Sequence, residues 1–266
     1  MNKYLQLIKA SFQEYFVYRL NFILWRVRAL MQLAILFFLW STVYQGTPNI
    51  FGYSEGQMLT YVLGISLIRS YILAARLSEN VGAEIVTGNL TNLLLKPISY
   101  LKYVFSRDLS DKGINIFFSS LEITGFILIF KPSLLFQQQP IYLVFSALAV
   151  ILALLLYFFV NITISYSAFW LVNDWWAPRF VFGIALEFLA GGIFPIDILP
   201  KIFAQILFLT PFPYMLFFPM KIYLGQLTLL QISQGLAITV FWVLAFYYLQ
   251  KWLWGVGLRR YEAVGR

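Results

Sequence analysis

The chain has 266 residues, of which 61% are hydrophobic, 20% aromatic and 11% charged, with a formal net charge of +8 and a mean hydropathy of +0.78. That much apolar surface exceeds what a core of this size can bury, which excludes a soluble globular domain and points to lipid-facing helices. Cysteine and histidine are both absent, so disulfides and the usual ligands and bases of zinc, haem, Ser-His and Cys-His chemistry are excluded too.

The chain opens on MNKYLQLIKASFQEYFVYRL, without the compact apolar stretch and small-residue site of a cleavable signal peptide. Tyr4, Leu5, Ile8, Phe12, Phe16, Leu20 and Ile23 recur at spacings near three and four. They predict an amphipathic interfacial helix over residues 1–28, either a plain anchor or a contact for a partner. A span needs roughly 20 apolar residues. The first span is expected at 29–43, extending to 45 and ending in Trp40, Tyr44, Gly46 and Pro48; the second lies at 57–75. The third covers 113–130 and is closed by Lys131-Pro132. The fourth begins near 141 and runs through AVILALLLYFFV, projecting beyond the bilayer or breaking near Asn161. The fifth covers 178–196 and the sixth 232–254. The expected fold is an all-α integral membrane protein: six transmembrane helices in one domain over 1–266, with no repeat and no attached soluble unit.

Charge placement sets the orientation, because Lys and Arg accumulate in cytoplasmic loops. Lys3, Lys9, Arg19, Arg26 and Arg28 precede the first span, and Arg76, Lys96, Lys102, Arg107 and Lys112 lie between the second and third. Arg179 joins them after the fourth, and Lys251, Arg259, Arg260 and Arg266 lie at the end of the chain. Only Lys131, Lys201 and Lys221 fall on the other side, and Arg69 lies within a span. Fifteen against three puts both termini and the 76–112 segment in the cytoplasm. The charges flank spans instead of forming one basic face, which argues against a nucleic-acid partner.

Residues 76–112 are a polar island in this apolar chain. Gly82 and Gly88 bracket a short acidic stretch, Asn89 offers a helix cap, Leu93, Leu94 and Leu95 form a small apolar face, and Pro97 ends it. Such a cytosolic helix suits either docking into a groove of another protein or lying on lipid. After the fifth span, AGGIFPIDILP and TPFPYMLFFP are apolar but cut by five prolines. Too broken to span, residues 197–226 are expected to form an outer re-entrant segment, which must be covered by protein or line a wet cavity. Arg69, Glu122 and Glu187 fall within spans, where an ionisable group is costly. They imply either a proton or ion relay, or an Arg-Glu pair that fixes packing.

Taken together, these segments resemble the permease subunits of ABC-2-type ABC exporters, bacterial members in particular. The likeness rests on the order of elements and on GNLTNLLLKPISYLKY, GGIFPIDILP, TPFPYMLFFPMKIYLG and the tail GLRRYEAVGR. It covers nearly the whole chain, although no single motif decides it. It implies a protein of the bacterial cytoplasmic membrane that pairs with a second permease, identical or related, and with a separate ATPase subunit. This chain has no GxxxxGK[ST] sequence, so ATP and Mg would sit on that partner and none on this chain. A coupling helix is implied within residues 79–95, with Glu84, Gly88, Leu94 and Pro97 as contacts. An outer gate is implied at Gly191, Gly192, Pro195, Pro211 and Pro213, with membrane lipid around the bundle. A stand-alone secondary transporter or channel is the alternative; it would want breaks in both halves, and they occur only in the second. An intramembrane protease would need paired aspartates or a serine with a base, and no span holds two aspartates.

Overall fold

Helix caps and glycine turns set the order of elements. In a computed structural model, which describes residues 19–73 and 77–261, α1 runs over Arg19–Val43. Asn49–Ile50 and Tyr53–Ser54 then pair as a two-stranded antiparallel hairpin, turned by Phe51 and Gly52, both at positive φ. Positive φ at both central residues is the turn geometry whose twist suits a tight hairpin. Helix α2, Glu55–Ile72, starts on a capping box: Gln57 N donates to Ser54 Oγ, and Ser54 N donates to Gln57 Oε1. The island carries α3, Leu77–Val86, and the five-residue α4, Leu90–Leu94. Then come α5, Tyr100–Phe130, and α6, Pro140–Ser165. Lys131 ends α5 in the left-handed conformation, because Pro132 cannot continue the helix. Pro140 opens α6 at a position where its missing N–H costs nothing. A 3-10 turn over Tyr166–Phe169 extends α6. The remaining helices are α7, Ala177–Leu189, α8, Lys201–Phe208, α9, Phe217–Tyr223, and α10, Leu229–Arg260. Thr228 and Gln231 form a second capping box for α10.

Several boundaries differ from those the hydropathy suggests. Helix α1 passes through Arg28 unbroken, so residues 19–28 continue into the first long helix; residues 1–18, where most of the interfacial helix was expected, lie outside the described residues. The 76–112 loop closes at Ser99, because α5 begins at Tyr100. Its charges do not end the helix because they pair: Lys112 Nζ lies 2.5 Å from Asp108 Oδ2 one turn away, both buried. Helix α6 does not break at Asn161, which is itself buried, and runs on to Ser165. Helix α7 stops at Leu189, short of 196, because Gly191 turns the chain at φ +81°. Helix α10 exceeds its expected range at both ends.

Among the described residues, four helical stretches are long and apolar enough to cross a membrane: Leu20–Val43, Tyr100–Phe130, Pro140–Phe169 and Leu229–Arg260. Their outer faces carry Leu24, Phe38, Leu121, Ile129, Ile151, Phe241 and Leu244, all exposed. No water-soluble surface keeps so continuous an apolar face. The interior is built largely from shorter pieces packed on α6. Helix α2 buries Met58, Leu59, Tyr61, Val62, Ile65 and Ile72, and α9 buries five of its seven residues. These pack against Ala149, Ala153 and Leu156 of α6. A second cluster at the island end joins Leu77, Val81 and Ile85 of α3 to Phe158, Ile162, Tyr166 and Phe169. Small residues allow the close contacts: a side chain at Gly64 would strike Met220, and one at Gly235 would strike Phe218.

Candidate functional site

At the island end, Leu77, Val81 and Ile85 repeat every four residues and bury one stripe of α3. Glu84 leaves that stripe toward α5. Tyr100 Oη donates to its carboxylate at 2.7 Å, Arg107 Nη1 at 3.2 Å and Tyr103 Oη at 3.5 Å. Burial pushes the Glu84 carboxyl above the ordinary carboxylate range, while the Tyr100 hydrogen bond and the Arg107 charge pull it back. Tyr100 also stacks on Trp254 of α10, with centroids 4.7 Å apart. The Thr91 and Tyr261 hydroxyls meet at 3.1 Å. The island is thereby tied to α5, α6 and α10.

What projects from this platform is its tip. Gly88 sits half-buried at φ +79° in the turn between α3 and α4. Leu90 points inward, whereas Leu94 and Leu95 are 43% and 80% exposed, and Lys96 and Pro97 are exposed beside them. Of the four expected contact residues, Leu94 and Pro97 lie on the outer tip and Gly88 shapes the turn. Glu84 faces inward, bracing the tip from behind.

The ionisable residues expected within spans fall into two separate pairs. Arg69 Nη2 lies 2.7 Å from Glu187 Oε2, joining α2 to α7. The contact is a charge contact without hydrogen-bond geometry, for Glu187 Oε2 and Arg69 Nε have no hydrogen-bond partner. Glu122 of α5 is held by Arg26 of α1, whose Nε donates to Oε1 at 2.6 Å and whose Nη2 contacts Oε2. Arg26 also donates to Asn115 at 3.2 Å and Ser119 at 3.0 Å. Arg69 and Glu122 line opposite sides of one polar cavity of about 50 Å³, with Ser66, Ser70 and Ser119. Arg26 reads in the sequence as a topology charge, and its pairing across 96 residues left no local signal.

Beside Arg69, α7 gives way to AGGI, and its four carbonyls are met by groups from three elements, α1, α2 and α9. Ala190 O accepts from Phe217 N at 3.0 Å, Gly191 O from Tyr61 Oη at 2.6 Å, Gly192 O from Arg69 Nη2 at 2.9 Å and Ile193 O from Trp40 Nε1 at 3.2 Å. Away from water each unmet carbonyl would cost free energy, so this non-helical stretch persists because protein has replaced the solvent. Gly192 N returns to Glu187 O at 3.1 Å, which closes the turn.

The proline-rich segment continues from that break. Pro195 precedes a 3-10 turn at Ile196–Ile198, and Pro211 precedes another at Phe212–Tyr214 that contains Pro213. Helices α8 and α9 have only eight and seven residues. Tyr53, in the hairpin, donates to Asp197 at 3.0 Å and accepts from Lys221 at 2.7 Å, and Lys221 contacts Asp197 directly. Ser146 and Gln137 hold the Pro219 and Tyr223 carbonyls at 3.0 and 2.9 Å. Residues 197–226 are thus clamped to the hairpin, to α6 and to the loop before it.

Four long apolar helices pack with inner elements whose exposed turn carbonyls are met by protein donors, and a braced tip stands at one end. Against known families, the sequence model described as ABC-2 family transporter protein matches residues 30–265. The chain belongs to the ABC-2 family of transporter proteins. No curated protein and no solved structure matches it. Family membership makes the chain the non-catalytic, multi-pass membrane component of an ABC transporter, a class whose membrane subunits generally partner with ABC ATPase subunits.

Proposed function

We propose that this ABC-2 permease is half of an exporter, driven by a separate ATPase subunit that docks on the tip around Leu94, Leu95 and Pro97. The observation that carries this reading is the combination of an exposed apolar tip with a rigid base, the Glu84–Tyr100–Arg107 network. A displacement of such a tip moves three helices and is not absorbed by a loop. Docking of a short helix into a groove is the expected mode. ATP and Mg belong to the partner. Two permeases, identical or related, complete the unit, and the outer segment at Gly191, Gly192, Pro195, Pro211 and Pro213 gates the exit.

The chain crosses the bacterial cytoplasmic membrane six times in this reading, with both termini in the cytoplasm. Four crossings are the long helices. The second is α2, about 27 Å long at 1.5 Å per residue. The fifth is α7, about 20 Å, continued by the non-helical residues after it. Support for the fifth comes from its ends. Arg179 reaches Glu79, beyond the end of α2, at 2.5 Å, and Asp197 reaches Tyr53, just before its start. The fifth segment therefore covers the same depth as α2.

Co-purification tests the docking. Intact protein extracted from membranes should recover an ATPase subunit, and Leu94→Glu should lose it with thermal stability unchanged, since Leu94 packs little. If the unaltered protein never recovers an ATPase, or Leu94→Glu leaves both recovery and transport intact, the reading fails.

A further inference from the structure

We propose that the cavity between α1, α3 and α7 binds an anionic amphiphile from the surrounding leaflet, a phospholipid-type molecule with its phosphate between Arg28 and Arg179. The cavity has a volume of about 430 Å³, within the range of small-molecule sites. Trp25, Trp175 and Trp176 line it, and Arg28, Glu79, Arg179 and Glu187 supply its charges. Both carboxylates already face an arginine: Glu79 meets Arg179 at 2.5 Å and Glu187 meets Arg69 at 2.7 Å. Arg28 has no such partner among the described residues; its guanidinium lies over the Trp25 ring, 5.2 Å from the centroid. Arg179 Nη1 is buried without a hydrogen-bond acceptor despite its contact with Glu79. With Glu79 facing Arg179 and Glu187 facing Arg69, the positive charge of Arg28 is the lining charge left without a counter-charge among the described residues. Arg179 adds guanidinium donors beyond its contact with Glu79. Planar donor forks of this kind suit a phosphate better than any neutral head.

The shape fits a chain as well as a head. Arg179, Gly183 and Glu187 recur every four residues, so one stripe of α7 lines the cavity for about 12 Å. Halfway along that stripe, nothing stands within 4 Å of where a Gly183 side chain would begin. The indole rings in the lining are of the kind that gathers at the headgroup level of a bilayer, and Phe180, Gly183 and Ile184 of the same lining form an apolar floor that accepts an acyl chain. This assignment does not depend on ATPase docking and can be tested without the partner.

The test uses the purified protein in phosphatidylcholine vesicles, with tryptophan fluorescence read as lipid with brominated acyl chains is added. Brominated phosphatidylglycerol should quench more than brominated phosphatidylcholine at equal mole fraction. Arg28→Gln should weaken that preference at least about tenfold, the scale of losing a charged hydrogen-bond partner, and Arg28→Lys should retain part of it. Gly183→Leu, which fills the floor and leaves every charge in place, should reduce it as well. Arg259→Gln, a charge that does not line the cavity, should leave it intact. Equal quenching by both lipids overturns the proposal. So does a phosphatidylglycerol preference that survives Arg28→Gln and Gly183→Leu, or stronger quenching by a brominated cationic lipid, which would assign the cavity to Glu79 and Glu187.

Discussion

The long helices α1, α5, α6 and α10 and the shorter pair α2 and α7 solve the same solvation problem in opposite ways. The long ones satisfy their backbone groups internally except at their ends and turn apolar side chains outward, with Leu24, Leu121, Ile151 and Phe241 exposed. The shorter pair carries Arg69 and Glu187, and α7 stops after thirteen residues. Its onward carbonyls are met by Tyr61, Arg69, Trp40 and the Phe217 amide. Length and apolarity together pick out the four long helices of the shell. Helices α2 and α7, apolar enough to be expected as spans at 57–75 and 178–196, are set apart by their polar contacts. In a transporter the inner elements can change partners, whereas the shell needs only to stay in lipid.

That contrast can be broken most severely at Arg69. Arg69→Leu leaves Glu187 unpaired and Gly192 O unmet, and should cost about 3–5 kcal/mol, read as a large fall in the thermal midpoint in detergent. Arg69→Leu combined with Glu187→Leu should recover part of the loss, because the stranded charge is gone. Gly191→Ala comes next: at φ +81° its methyl would lie 2.7 Å from Tyr61 Oη, and the expected loss is about 1–3 kcal/mol. Tyr61→Phe removes only the donor to Gly191 O and should cost about 1–2 kcal/mol.

A smaller effect belongs to pH. Burial raises the Glu84 carboxyl above its ordinary value, so the folded chain keeps that proton to higher pH than the unfolded chain does. Its contribution therefore declines as pH rises from the ordinary carboxylate range through the raised value. Glu84→Gln should flatten that part of a stability-against-pH curve. The smallest effect is expected in the shell: Leu244→Val, on the exposed face of α10, should stay within about 0.5 kcal/mol. A Leu244 effect as large as that of Tyr61 would erase the distinction between shell and interior.

Much of the shell was legible in the sequence. Long uncharged runs located α5, α6 and α10, Lys131-Pro132 ended α5, and the prolines after 195 marked a region too broken for one helix. The starts of α1 and α5 were not legible, because charges that look like loop residues pair within or between helices: Lys112 with Asp108, and Arg26 with Glu122. A hydropathy window counts those charges and cannot see their partners. The end of α7 was misplaced for a related reason. AGGI is apolar enough to continue a span, and the groups that meet its carbonyls lie at Trp40, Tyr61, Arg69 and Phe217. The family resemblance pointed to Glu84, Gly88, Leu94 and Pro97 alike, and only folding separates the exposed Leu94 and Pro97 from Glu84, which faces inward.

Site-directed labelling of this cysteine-free chain tests the central claim most directly. Leu95→Cys and Gln138→Cys, both at exposed positions, are treated with a membrane-impermeant thiol reagent in sealed vesicles of each orientation, with and without the ATPase bound. The account predicts that Leu95→Cys labels only from the cytoplasmic side and is shielded by the ATPase, while Gln138→Cys labels only from the other side and is indifferent to it. Labelling of both from one side, or a Leu95→Cys rate that the ATPase does not change, would contradict it.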